Sequence, residues 1–410
     1  MDSIETLSRA ELATLGREYM LFGHLLNRAG LPWVHLRVGA EAREAVAIEE
    51  WMGASPIYTR RLQRAFGFTG EGVDTIFKGF QLDVGFPHQY MDVHYELEGP
   101  ERGVFWLQSC GALLEAEKNG EEAVRSMCHA IEDPTFDASA VATNPRARCR
   151  PIHRPPRTPA DRVPHCRWEV FIDHAADPLE ESSITRRVKA ARLGAVEFPE
   201  PAPDSSGGLD DYRGAFDPDF RLEKFSRAAL VRACREFLVQ NHLLVRALMI
   251  SVADRAGDDV ARAIGASQWI GAGAICAQRL RRAMRIDGDG IDAIVTLLRL
   301  HPAFVPVYAP FEATAGATDR GRLSLADCEG LHEGDAYSWY ALLGDGAGPA
   351  LDAMVQAVNP RARCVPATPK APERFAWEVV VDRAAEPATP PREVQMVAAA
   401  NTATFAFRAS

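Results

Sequence analysis

The 410-residue chain carries 46 Lys and Arg against 56 Asp and Glu, a formal net charge of −10, which offers no general electrostatic hold to nucleic acid or an anionic membrane. With 47% apolar and 25% charged residues it has the balance of a folded globular protein, long enough for two or three cores. No uninterrupted apolar run reaches the roughly 20 residues that span a bilayer, the acidic start Met1-Asp2-Ser3-Ile4-Glu5 lacks signal-peptide blocks, and the eight cysteines include no CxxC pair, so a cytoplasmic protein with reduced thiols is expected.

From Leu12 the apolar spacing is helical, and three or four helices are expected up to about residue 82. Tyr90 to Leu97 alternates Val93 and Tyr95 against His94 and Glu96, the pattern of a half-buried strand. Glu98-Gly99-Pro100-Glu101-Arg102-Gly103 is turn chemistry leading into a second strand, Val104 to Leu107. Gly120 to Ile131 has helical spacing, and Pro134 is expected to end that helix near Asp133. Arg148 to Ile152 and Arg167 to Asp173 read as two more strands, followed by a helix from about Ser183 and a short strand Val196-Glu197-Phe198.

The same text then returns 218 residues later. His24-Leu25-Leu26 recurs as His242-Leu243-Leu244, Trp51-Met52-Gly53-Ala54 as Trp269-Ile270-Gly271-Ala272, and Cys110 falls on Cys328. After a short gap Asn144-Pro145-Arg146-Ala147-Arg148-Cys149 reappears intact as Asn359-Pro360-Arg361-Ala362-Arg363-Cys364, and Pro391 to Phe407 resembles the tail of the first copy. A period this long means two similar domains, not a solenoid. The expected fold is α+β, a tandem duplication of a domain with N-terminal helices followed by a small antiparallel sheet interrupted by one helix. The first repeat is residues 1–198, the linker 199–225 (Pro-, Gly- and Ser-rich at its start), and the second, degenerate repeat 226–410.

A helix carrying Cys128, then a last strand beginning His165-Cys166-Arg167-Trp168-Glu169-Val170, resembles the 4-vinyl reductase-type ligand-binding domains and is similar to the L-2-amino-thiazoline-4-carboxylate hydrolase-like proteins. The resemblance rests on Cys128 with Asp133 and Cys166 with Trp168. It implies a fold with a small-molecule pocket. Pro164-His165 stands where those proteins usually have a glycine before the final cysteine, and the second copy has Phe375-Ala376-Trp377 there.

The two copies differ where reactive side chains gather. Cys128, His129, Glu132 and Asp133 have no counterparts in the second copy, while His88 faces Pro306 and His94 faces Glu312. A longer loop in the first copy adds His153, Arg154, Arg157, Asp161, Arg162 and His165, a site wall or lid by composition. Cys128 and Glu132 share one helix face, His129 and Asp133 the neighbouring one. His88, His94, Cys128 and His129 are a donor set suited to a divalent metal, zinc or iron. Glu132 or Asp133 is the candidate general base, Cys128 a further catalytic candidate, and Arg154 and Arg157 are candidate anchors for an anionic substrate. His24 and Trp51, kept in both copies, read as structural. The expectation is an enzyme acting on a small anionic molecule by metal-assisted hydrolysis or a related lyase or hydration step; the alternative is a non-catalytic small-molecule binder or sensor. The expected partner is that small molecule, with a homo-oligomer left open and neither nucleic acid nor membrane involved.

Overall fold

The computed structural model describes residues 3–399 apart from residues 89, 204, 206 and 347. The fold is α+β, with two sets of helices and two four-stranded antiparallel sheets. Helix α1 (Arg9–Arg37) opens on a capping box in which the Ser8 side chain accepts from the Glu11 amide and the Glu11 carboxylate accepts from the Ser8 amide at 2.8 Å. Helix α2 (Ala40–Phe66) stops at Gly67, whose φ of 67° is the left-handed conformation that glycine adopts without strain. Helix α3 (Val73–Gln81) completes the helical block.

The first sheet has the order β1-β2-β4-β3, built from β1 (Met91–Gly99), β2 (Arg102–Cys110), β3 (Ala147–His153) and β4 (Cys166–Ile172). Alternation puts Val93, Tyr95, Phe105, Leu107, Trp168 and Val170 in the core. Between β2 and β3 run α4 (Gly111–Ala116), α5 (Glu121–Arg125), a π-helical turn (Ser126–Ile131), and α6 (Glu132–Val141). Helix α7 (Ser183–Lys189) follows β4.

The second half presents α8 (Arg227–Ala256), α9 (Asp258–Ala283) and α10 (Ile291–Arg299), then β5 (Phe311–Ala315) and β6 (Arg320–Ala326). Short α11 (Leu343–Gly346) and α12 (Gly348–Gln356) precede β7 (Ala362–Pro366), β8 (Glu373–Val381) and α13 (Arg392–Ala399). Its sheet order, β5-β6-β8-β7, repeats that of the first.

The two helical blocks share one interior. Helix α1 lies against α8 and α9, α2 lies against α8, and the buried apolar residues form one continuous cluster. Two reciprocal ion pairs cross this interface: Arg61 grips Glu236 through two 2.8 Å bonds, and Arg279 grips Glu18 at 2.8 and 2.9 Å. All four side chains are buried. Helix α8 is long and apolar enough to cross a membrane by length and composition, but 94% of its most apolar window is buried inside the protein, as in a core helix.

The structure departs from the sequence expectation in four places. Where one helix is expected to interrupt the sheet, α4, α5, the π turn and α6 run between β2 and β3. Pro134 does not end a helix: it sits in the first turn of α6, where a missing N–H is tolerated, and the helix runs on to Val141. Val196 to Phe198 is irregular instead of a strand. The expected linker divides in two, because only its start has linker composition: Tyr212, Phe220, Leu222 and Phe225 are buried, and Phe225 stacks on Phe66 at 4.8 Å. Of the expected C-terminal tail, the part beyond Ala399 lies outside the described residues.

Candidate functional site

A cavity of about 100 Å³ opens inside the first half, between α1, α2, the Asp83–Phe86 turn, β1, β2 and α6. Its wall is mostly apolar: Trp51, Phe86, Met91, Leu107, Met127, Ile131 and Phe136. The polar members are His24, Ser55, Asp83, Glu132, Thr135 and Ser139. His24, Trp51, Met127, Ile131, Glu132 and Phe136 are half-buried and all keep some accessible surface.

The π-helical turn shapes one wall. A π turn adds a residue to the helical repeat and is common beside functional sites. Here it carries Met127 and Ile131 to the cavity and delivers Glu132 at the start of α6, followed on the same face by Thr135, Phe136 and Ser139. The Glu132 Oε2 atom is buried and has no hydrogen-bond partner. Burial pushes the Glu132 carboxyl up to about 8, with Arg154 pulling the other way and Asp133 adding to the rise. At neutral pH this group is a neutral acid that can donate.

Asp83 is the second carboxyl in the cavity. Tyr58 donates to its Oδ1 at 2.8 Å, the Gly85 amide donates to the same oxygen at 2.6 Å, and Ser55 joins Tyr58 at 2.8 Å. Burial raises Asp83 to about 6, against hydrogen bonds from Gly85, Tyr58 and Ser139 that favour its charged form. It is mostly ionised at pH 7. His24 completes the polar set. Its Nε2 lies 3.2 Å from the Gly85 carbonyl, which can only accept, so Nε2 carries the proton. Burial lowers His24 to about 4, keeping the ring neutral.

The second half treats the matching positions differently. His242 Nε2 bonds the Pro302 carbonyl at 3.0 Å as His24 bonds Gly85, and the Ala303 amide donates to His301 at 3.1 Å as Gly85 donates to Asp83. Rings cover these walls. Trp339 lies flat on Trp269, centroids 5.4 Å apart and planes 2° apart, and Tyr340 lies on His242 at 5.2 Å and 11°. Trp269, Trp339, His242 and Tyr340 are all buried.

Of the sequence candidates, Glu132 lines the cavity and Cys128 is buried. Burial pushes the Cys128 thiol far above its ordinary range, with Glu132, Cys110 and Cys166 adding to the rise, so a nucleophilic thiolate is disfavoured there. His129 and Asp133 turn away: His129 Nε2 donates to the Pro155 carbonyl at 2.6 Å, and Asp133 pairs with Arg154. Arg154 also sits over the Trp168 ring at 5.9 Å, and Arg157 holds Glu117 through two 2.7 Å bonds. The loop carrying these arginines therefore clamps the π turn and its neighbours from outside; it contributes nothing to the cavity wall. His88 and His94 do not share a side. His88 precedes the strand, is buried, and contacts the Gln81 carbonyl at 2.8 Å, whereas His94 lies on the outer face of the sheet, stacked on Trp106 at 5.5 Å. Among the described residues no group of three or more His, Cys, Asp or Glu side chains has an arrangement that could hold a metal ion.

Sequence reasoning missed Asp83, Ser55 and Tyr58, and set His24 and Trp51 aside as structural. One signal was present: at the 218-residue shift Asp83 falls on His301, a change of charge at a position that both halves bury. Comparison of the chain with protein-family models, with curated proteins and with solved structures finds no match in any of the three.

Proposed function

We propose that the first half is an enzyme site for a small, uncharged molecule, with Glu132 as general acid and Asp83 as general base in a hydrolytic, hydration or lyase reaction. The observation that carries this reading is the Glu132 Oε2 atom, buried and without a hydrogen-bond partner, in the wall of a cavity. Burying an unsatisfied carboxyl destabilises the fold, so a partner that comes and goes is its natural explanation. Environments that push Glu132 to about 8 and Asp83 to about 6 divide one pair of carboxyls into a donor and an acceptor near pH 7. An uncharged substrate fits better than the anionic one expected from the arginines, because Arg154 and Arg157 are engaged by Asp133 and Glu117. The two halves belong, in this proposal, to a tandem duplication whose second copy has its pocket filled by Trp339 and Tyr340. Matching sheet orders and the reciprocal Arg61–Glu236 and Arg279–Glu18 pairs support it. The resemblance to 4-vinyl reductase-type domains points toward a small-molecule pocket as well.

The test is turnover of small uncharged esters, amides and alkenes by the intact chain and by Glu132→Gln. Loss of a general acid is expected to lower kcat by about 10²–10⁴ while binding persists. If no compound is turned over but one binds in a Glu132-dependent way, the site is a sensor; if Glu132→Gln alters neither binding nor turnover, the reading fails.

A further inference from the structure

In the second half the walls formed by Trp269 and His242 are each covered by a parallel ring supplied by the chain itself, Trp339 and Tyr340. The matching walls of the first half, Trp51 and His24, border the cavity instead. Among the described residues the ring that touches Trp51 is His24, tilted at 47° with centroids 6.0 Å apart, so no ring is stacked face to face on Trp51. His24 meets Tyr90 by an edge at 65°, not by a face. Trp51 is half-buried, whereas Trp269 keeps 1% of its surface. A half-buried indole at a cavity wall with no ring stacked on it favours a flat, polarisable partner, since offset-stacked rings gain beyond their area. The space, about 100 Å³, is on the scale of one ring; a dry cavity of about 150 Å³ is known to hold benzene. Among the described residues of this wall, Glu132 has a fully buried side-chain oxygen without a partner, and as a neutral acid at pH 7 it favours a ligand that offers an acceptor.

We infer that the ligand of the first half is a single-ring planar aromatic molecule, stacked on Trp51 and accepting a hydrogen bond from Glu132 through a carbonyl or similar group. The Trp339 ring in the second half occupies, on the matching wall, the place that this ligand takes in the first. The inference rests on the site reading above and adds the ligand class to it.

Benzamide and cyclohexanecarboxamide separate the two. They share the amide acceptor and differ in the flatness of the ring. Calorimetric titration of the full chain is expected to show benzamide binding roughly tenfold more tightly, the scale of one stacking contact. Trp51→Leu is expected to abolish that preference and Trp51→Phe to retain most of it, so a general folding defect is distinguishable. Glu132→Ala is expected to weaken both amides. Equal binding of the two amides by the natural chain overturns the aromatic class and leaves the site standing. Binding of neither overturns the inference, and if Glu132→Ala also leaves every ligand and turnover reading unchanged, the site reading falls with it.

Discussion

Replacing Glu132 by Gln is expected to make the protein more stable and to impair its site. The Glu132 carboxyl sits near 8 in the folded chain because burial disfavours its charge, whereas an ordinary glutamate ionises near 4.5. Below 4.5 both folded and unfolded chains hold the proton and the group is neutral in its effect. Above 4.5 only the unfolded chain gives the proton up, so folding becomes progressively less favourable until the folded group also ionises near 8. At pH 7 the interval is 7 − 4.5 = 2.5 units, which at 1.36 kcal/mol per unit is roughly 3 kcal/mol. Gln has the same shape and no charge to lose. Urea denaturation of the natural chain and of Glu132→Gln at pH 4 and pH 7 measures the difference. The account predicts near-equal stability at pH 4 and a variant more stable by roughly 3 kcal/mol at pH 7. A variant that is less stable at pH 7, or a difference that does not change with pH, refutes the reasoning.

Other outcomes follow from the same geometry. Turnover is expected to rise through pH 6 as Asp83 ionises and to fall through pH 8 as Glu132 loses its proton, giving a bell-shaped pH–rate profile; Asp83→Asn should remove the acid limb. Arg61→Met alone leaves Glu236 buried and unpaired and should cost about 3–5 kcal/mol in denaturant titration, most of it recovered by adding Glu236→Leu. Trp339→Ala should cost about 3–5 kcal/mol and open a second cavity against Trp269, so that added indole raises the variant's thermal midpoint and not that of the natural chain. Chelation of metal ions is expected to leave benzamide binding unchanged, read by the same titration before and after treatment, because the proposed contacts come from a carboxyl and an indole.

Much of the fold was legible in the sequence because periodicity and turn chemistry are local. A run of helices up to about residue 82 and the four strands of the first half fall, within a few residues at their ends, where the spacing of apolar residues places them. Pro134 misled because its effect depends on the turn before it: α6 follows the π segment and carries the proline in its first turn, and no local pattern announces a π segment. Comparison of the two halves of the sequence singled out Glu132 as a group peculiar to the first, and the structure puts it in a cavity wall. The comparison could not tell which helix face looks inward, since Cys128 with Glu132 and His129 with Asp133 differ by one position, or 100° of helix. Tertiary partners decided it, Pro155 and Arg154 holding the second face outside. Asp83 escaped notice and Trp51 read as structural for a different reason. Each is a retained or substituted core position by pattern, and only the three-dimensional structure shows that both border a cavity and that, among the described residues, no ring is stacked on Trp51.

The most direct test of the central claim is to pass cell extract over the intact chain and over a variant whose cavity is filled, Ser139→Phe, and to identify what each retains by mass spectrometry. The account predicts that a small uncharged molecule with a planar ring stays with the natural chain in near-equal amount and is missing from a Ser139→Phe variant of unchanged far-ultraviolet circular dichroism. Retention of the same molecules by both chains would contradict it.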